Sequence, residues 1–226
     1  MHPPEELLLA VASGQADLPH RILVEGHLDT CAACRGTIGE ISAPGGALLA
    51  SLPAERPPDP LWERLRARIE TLAPEPEAPL LAGIPLPEGA RRELPPLGKI
   101  RWHRVPARGA RMARLLHDPF TGSDLYLGHM PPQRFVPRHI HVGPEDLLVL
   151  AGGYEDQYGT WEAGAFASYA PGTQHRPFTE PDEECWILFR LETPNLFTGW
   201  RGWLQRLFLP SQLPRRAAAP APGASG

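Results

Sequence analysis

Cysteine is scarce in this chain: there are three in 226 residues, two of them in Cys31-Ala32-Ala33-Cys34. So few argue against a disulfide framework and suit a reducing compartment and a metal site. Long apolar runs are also missing. None approaches the roughly 20 residues a membrane helix needs, so no membrane association is expected. An excess of positive charge is absent too, with 22 Lys+Arg against 26 Asp+Glu and a net charge of -4. That balance argues against direct nucleic-acid binding, which normally calls for a basic surface. The opening Met1-His2-Pro3-Pro4-Glu5-Glu6 lacks the basic start of a secretory signal, so a cytoplasmic protein is expected. With 42% hydrophobic and 21% charged residues, the composition is that of a globular chain long enough for one large or two modest domains.

Proline is what the chain has in plenty, 29 residues, and its placement marks boundaries. Eleven prolines lie from Pro53 to Pro96. The stretch from Pro74 through Pro85 and Pro87 cannot sustain a helix or a central strand, and an extended spacer over residues 74–95 is expected. It divides a helical module, residues 1–73, from a strand-rich body, residues 96–209. The tail, 210–226, lacks the apolar side chains to fold.

In the first module, Pro3-Pro4-Glu5-Glu6 opens a helix that Gly14 ends. A second runs from about Leu18, with Leu18, Ile22, Leu23 and Leu28 toward the core. A third begins near Cys31, capped by Asp29 or Thr30. A fourth begins at Asp59-Pro60, and its Leu61, Leu65, Ile69 and Leu72 recur at helical spacing.

The chemistry there lies in His27-x3-Cys31-x2-Cys34. On a continuous helix these positions fall within about 60° of one face. Thiolates with an imidazole select Zn²⁺, and a structural tetrahedral site needs a fourth ligand. His20, seven residues before His27, stands about two turns away, too far to share one ion. His2 can be brought over by packing. The competing reading is two buried cysteines near a surface histidine.

In the body, short apolar stretches alternate with Gly, Pro and Asp, the pattern of a β-barrel or sandwich. Candidate strands are 100–105, 112–117, 124–129, 147–151, 153–157, 165–169 and 184–191. Within Arg138–Glu145, His139 and His141 point the same way on a strand, and Gly143-Pro144 turns the chain to present Glu145. With His175, about thirty residues on, they make a ligand set for Zn²⁺, Fe²⁺ or another divalent ion. The bland alternative is half-buried strand histidines beside a surface glutamate. His103, His117 and His129 lie in no ligand spacing and read as packing or surface. Cys185 reads as a small buried hydrophobe, with a redox-sensing thiol as the sharper alternative. Residues 200–209 read as a short aromatic helix or strand.

The spacing from His139 to Gly152 resembles the first motif of the cupin superfamily, H-x-H-x(3)-E-x(6)-G. The second, G-x(n)-P-x-G-x(2)-H, is approached from Gly164 to His175. It departs where Pro171 adjoins Gly172, where Thr179 stands in place of an Asn, and where Gln133 occupies the usual leading Gly of the first motif. The amino-terminal pattern resembles the zinc-binding anti-sigma domain, an upstream His followed by H-x(3)-C-x(2)-C, filled by His2, His27, Cys31 and Cys34. The order of the two is that of the ChrR-type anti-sigma factors. This resemblance implies an α+β two-domain chain: a small all-α zinc-binding domain, then an all-β cupin (a double-stranded β-helix or jelly roll).

The resemblance further implies a negative regulator of transcription. Its helical domain, with a structural Zn²⁺, would clamp an extracytoplasmic-function-type sigma factor, and its cupin metal would condition release under stress. No catalytic residue is assigned. The competing function is a metal-dependent dioxygenase built on His139, His141, Glu145 and His175. A zinc-knuckle nucleic-acid binder fits poorly, since no aromatic–basic interleaving surrounds Cys31–Cys34.

Overall fold

The structure is a computed structural model that describes residues 1–71, 83–95 and 100–199. Contacts divide the chain into a helical unit, Pro3–Ile100, and a β-rich unit formed by Met1–His2 and the chain from Arg101 onward. The expected residues 200–209 and 210–226 lie outside the described residues.

Among the described residues the helical unit has five helices: α1 (Glu5–Ala12), α2 (Leu18–Leu28), α3 (Ala32–Ala50), α4 (Pro60–Thr71) and α5 (Glu88–Glu93). Pro4 and the first-turn Glu5 and Glu6 start α1. Asp17 caps α2, its Oδ1 accepting from the His20 amide at 2.8 Å. Ile22, Leu23 and Val24 on α2 are fully buried and form the centre of this unit. The cap of α3 differs from expectation. Neither Asp29 nor Thr30 fills it; the Cys31 sulfur accepts from the Cys34 amide at 3.5 Å.

Asp29 serves α5 instead, its Oδ2 accepting from the Gly89 amide at 2.9 Å. That helix is a correction, because residues 84–93 were expected in an extended spacer. Pro87 cannot continue a helix, but it sits at the N-cap of α5, where its missing N–H costs nothing. Ile84, Leu86 and Ala90 are buried, and Arg91 bonds the carbonyls of Leu86 and Ile84. A side chain at Gly89 would stand 2.3 Å from the Glu25 carbonyl oxygen, so only glycine lets α5 lie this close to α2. Burial of the three apolar side chains outweighs the local preference for extended backbone.

The helix α4 forms at the expected place, but none of its residues is buried. Trp62 is 66% exposed, Leu65 42% and Ile69 62%. Its apolar face is formed and left uncovered among the described residues.

The β unit has a main sheet of six antiparallel strands, in the order β1 (Trp102–Arg104), β2 (Arg111–His117), β3 (Asp124–Met130), β11 (Cys185–Leu191), β5 (Glu145–Ala151) and β8 (Phe166–Tyr169). A second sheet joins β10 (Phe178–Thr179), β6 (Gly153–Asp156) and β7 (Gly159–Glu162). A third joins β12 (Leu196–Phe197), β4 (His139–Ile140) and β9 (Gln174–His175). Leu147, Leu148, Val149 and Leu150 are all buried, so β5 reads as an apolar run because both of its faces are covered. Leu147 and Val149 pack with Tyr154, Trp161, Tyr169 and Phe189 in the core beneath the site.

The motif glycine after β5 has a physical reason. Gly152 turns with φ +62°, and a Cβ there would meet the Glu184 carbonyl oxygen at 1.9 Å. Two of the departures from the cupin pattern, Gln133 and Thr179, sit together. Gln133 adopts φ +55°, the one left-handed non-glycine backbone among the described residues. Thr179 is buried beside it: its Oγ1 donates to the Pro131 carbonyl at 2.7 Å and accepts from the Arg134 amide at 2.9 Å. The threonine hydroxyl holds the loop that Gln133 strains.

Candidate metal centres

Two groups of side chains offer ligand atoms that all lie within 4.8 Å of one another: His2, His27, Cys31 and Cys34, and separately His139, His141, Glu145 and His175. Each brings together every residue expected of it and, among the described residues, no other.

In the amino-terminal group, His27 ends α2, Cys31 caps α3, and Cys34 lies in the first turn of α3. The break between α2 and α3 does what a continuous helix would not, pointing two helix ends at one spot. His27 and Cys34 are buried. Burial pushes the Cys34 thiol up to about 11, and Cys31 adds to it through a hydrogen bond and like-charge repulsion. A donor set of two sulfurs and two imidazoles fits a soft divalent ion.

In the second group, β4 and β9 pair directly, with His139 opposite His175. The β4 strand ends at Ile140, and the Gly143-Pro144 turn starts β5 at Glu145. All four residues are buried, at 5% exposure or less. The Nε2 atoms of His139 and His175 are 2.9 Å apart, and His141 Nε2 stands 3.9 Å from Glu145 Oε2. His141 Nε2 is buried with no hydrogen-bond partner, which is costly unless something else occupies that position. Three imidazole nitrogens and a carboxylate facing one point fit a divalent metal ion.

The electrostatics agree. Burial raises the Glu145 carboxyl, only partly offset by His175 and the Asn195 amide, which donates to Oε2 at 2.6 Å. Burial pushes His139 down to about 3 and His141 down to about 4, and the neighbouring His175 pushes both further in that direction. Unfolded histidine titrates near ~6.5. At these two histidines the unfolded chain therefore binds more protons than the metal-free native state between about pH 6.5 and 4. The single raised Glu145 carboxyl offsets part of this, and the histidines' contribution to stability falls as pH falls through that window. Chelator-treated protein is expected to melt at a lower temperature near pH ~5 than near pH ~7.5. The difference should shrink when His139 and His141 are both replaced by Gln. Calorimetry reads it, and equal midpoints in the unsubstituted protein would contradict it.

The leftover histidines stay out of both groups. His117 bonds Asp124 at 2.9 Å, and His129 bonds Glu184 at 2.7 Å while lying against Trp186. Cys185 is 2% exposed, and burial pushes its thiol up to about 12. That is the small buried hydrophobe, not a reactive thiolate.

Sequence reasoning missed the residues that hold the ligands. His139 Nδ1 bonds the Pro137 carbonyl at 3.0 Å, His141 Nδ1 bonds Thr173 Oγ1 at 2.8 Å, and His175 Nδ1 bonds Asp156 Oδ2 at 2.7 Å. Thr173 lay within the second motif and was available to notice. Asp156 falls within the candidate strand 153–157, and nothing in its sequence context separates it from an ordinary strand residue.

Known proteins extend the picture. The ChrR cupin-like domain family matches residues 91–193. The anti-sigma-E factor ChrR of Cereibacter sphaeroides is 28% identical over 213 residues, 88% of this chain and 92% of that protein. The crystal structure of Rhodobacter sphaeroides SigE in complex with the anti-sigma ChrR matches with TM-score 0.60 and 26% identity, covering 84% of this chain and 97% of that one. The likeness thus runs through the helical module with its His/Cys group as well as the cupin-like region that follows it, and over most of its length the chain is similar to the anti-sigma factor ChrR.

Proposed function

We propose that this protein is a negative regulator of transcription that binds and sequesters an extracytoplasmic-function-type sigma factor through its helical unit. Zn²⁺ held by His2, His27, Cys31 and Cys34 braces that unit. A divalent ion held by His139, His141, Glu145 and His175 lets the cupin control release under stress. The observation that carries this reading is the likeness along 88% of the chain to an anti-sigma factor, together with the likeness along 84% of it to an anti-sigma ChrR solved in complex with SigE.

The uncovered face of α4 supports it. Trp62, Leu65 and Ile69 recur at i, i+3 and i+7 and are exposed, and Leu48 and Leu49 near the end of α3 and Leu52 just beyond it are exposed as well. Apolar helix faces of this kind lay themselves into a partner's groove. Replacing Trp62 and Ile69 together by Glu is expected to weaken capture of the cognate sigma factor at least ~10-fold, about 1.4 kcal/mol. Thermal stability should hardly change, because no α4 side chain is buried. Co-purification and titration with the sigma factor test this, and undiminished capture would place the contact elsewhere.

The dioxygenase reading has less support. A catalyst needs substrate beside its metal, whereas here each ligand residue is 5% exposed or less. Oxygen consumption by metal-loaded protein with dioxygenase substrates would reopen it.

A further inference from the structure

The three imidazoles of the cupin group share one orientation. Each gives Nδ1 to a neighbour and turns Nε2 inward, His139 through the Pro137 carbonyl, His141 through the Thr173 hydroxyl and His175 through the Asp156 carboxylate. Only one of those three neighbours is charged. We propose that Asp156 is the positioning residue of this centre: it does not touch the metal but aims His175 at it and makes that imidazole a stronger ligand. The inference rests on the metal reading of His139, His141, Glu145 and His175.

The geometry around Asp156 leaves it little other freedom. Its side chain is fully buried. Oδ2 accepts from His175 Nδ1 and from the Tyr169 hydroxyl, both at 2.7 Å. Oδ1 accepts from the Tyr158 amide at 2.8 Å and from Trp161 Nε1 at 3.2 Å. Four donors from the β6–β7 hairpin, β8 and β9 thus fix both oxygens. Because the Tyr169 proton goes to Asp156, Tyr154 donates to the Tyr169 oxygen at 2.8 Å. The result is a buried chain, Tyr154 to Tyr169 to Asp156, ending on a metal ligand. The Tyr169 ring also packs on His175 and His141, with centroids 4.3 and 5.0 Å away. A carboxylate on the far nitrogen of a ligating histidine fixes its tautomer and ring angle and raises its donor strength. Loss of such a partner typically weakens metal binding about 10–100-fold.

The test uses the full chain and Zn²⁺, with a chelator of known affinity competing for both centres and the His/Cys centre as internal reference. Asp156→Asn keeps the shape and removes the charge. It is expected to weaken the cupin centre about 10–100-fold and leave the His/Cys centre unchanged. With Co²⁺ in the cupin centre, the visible absorption bands should also shift, a readout that a merely structural role would not move. Tyr154→Phe, which trims only the far end of the chain, should leave affinity nearly intact. Wild-type affinity and an unshifted Co²⁺ spectrum in Asp156→Asn overturn the proposal. If Asp156→Asn does not fold, Tyr169→Phe, which removes one donor to the same carboxylate, is expected to weaken binding severalfold, and unchanged affinity there overturns it equally. Failure of the underlying reading looks different: wild-type protein, or its comparison with His175→Ala, would then show no metal bound at this group.

Discussion

Cys31→Ser and His27→Ala are each expected to abolish capture of the sigma factor, and to do so by unfolding the helical unit. The argument is one of core size. That unit buries Leu8, Ile22, Leu23, Val24 and Leu28 together with the Ile84–Ala90 segment, a small apolar core for its length. Such a core rarely supplies more than about 3–5 kcal/mol. A structural Zn²⁺ contributes on the order of 10–16 kcal/mol at neutral pH in small metal-dependent domains, so its loss exceeds what the remaining packing can offset. Cys31 matters twice, as a ligand and as the sulfur that caps α3 against the Cys34 amide. Circular dichroism should show lost helix, metal analysis should show the missing Zn²⁺, and pull-down should show no sigma factor. A Cys31→Ser chain that still captures sigma at full strength would mean the metal does not brace the clamp.

Glu145→Ala and His141→Ala should behave in the opposite way. Capture of the sigma factor is expected to persist, while the cupin loses its metal and release no longer answers the inducing stress. Both side chains are buried, His141 completely, so these truncations also leave a cavity and remove two opposed partners. The β unit is expected to lose roughly 1–3 kcal/mol from the disrupted polar cluster. The helical unit has a core of its own and should keep its melting behaviour. The check is paired: sigma binding in vitro, and reporter expression with and without stress. Loss of sigma binding in Glu145→Ala would count against this division of labour between the two units.

The same partition shows in how the molecule could be read. The clustered part of each candidate ligand set, His27/Cys31/Cys34 and His139/His141/Glu145, was legible because such side chains carry their own chemistry, whereas His2 and His175 lie far off in sequence. Thiols and imidazoles two to four residues apart are forced to be near each other, whatever the surrounding fold. The principal strands were legible too, where apolar runs such as Leu147–Leu150 stood between turn residues. Two things resisted. The α5 helix was hidden by proline-rich surroundings, because its cause lies sixty residues away in Glu25 and Asp29. The short strands β7, β9, β10 and β12 have too few residues to show a period.

By itself, then, the sequence determined where thiols, imidazoles and a carboxylate recur at ligand spacing, that a helical module precedes a β-rich one, and that α4 carries an apolar face at helical spacing. These follow from residue type and near-neighbour spacing, which the chain carries locally. Only the tertiary structure decided that α4 keeps that face open, that Thr179 restrains the left-handed backbone at Gln133, and that Asp156 stands behind His175. Each depends on residues far apart in sequence meeting across strands or helices, and burial and hydrogen-bond satisfaction exist only once the chain has closed on itself.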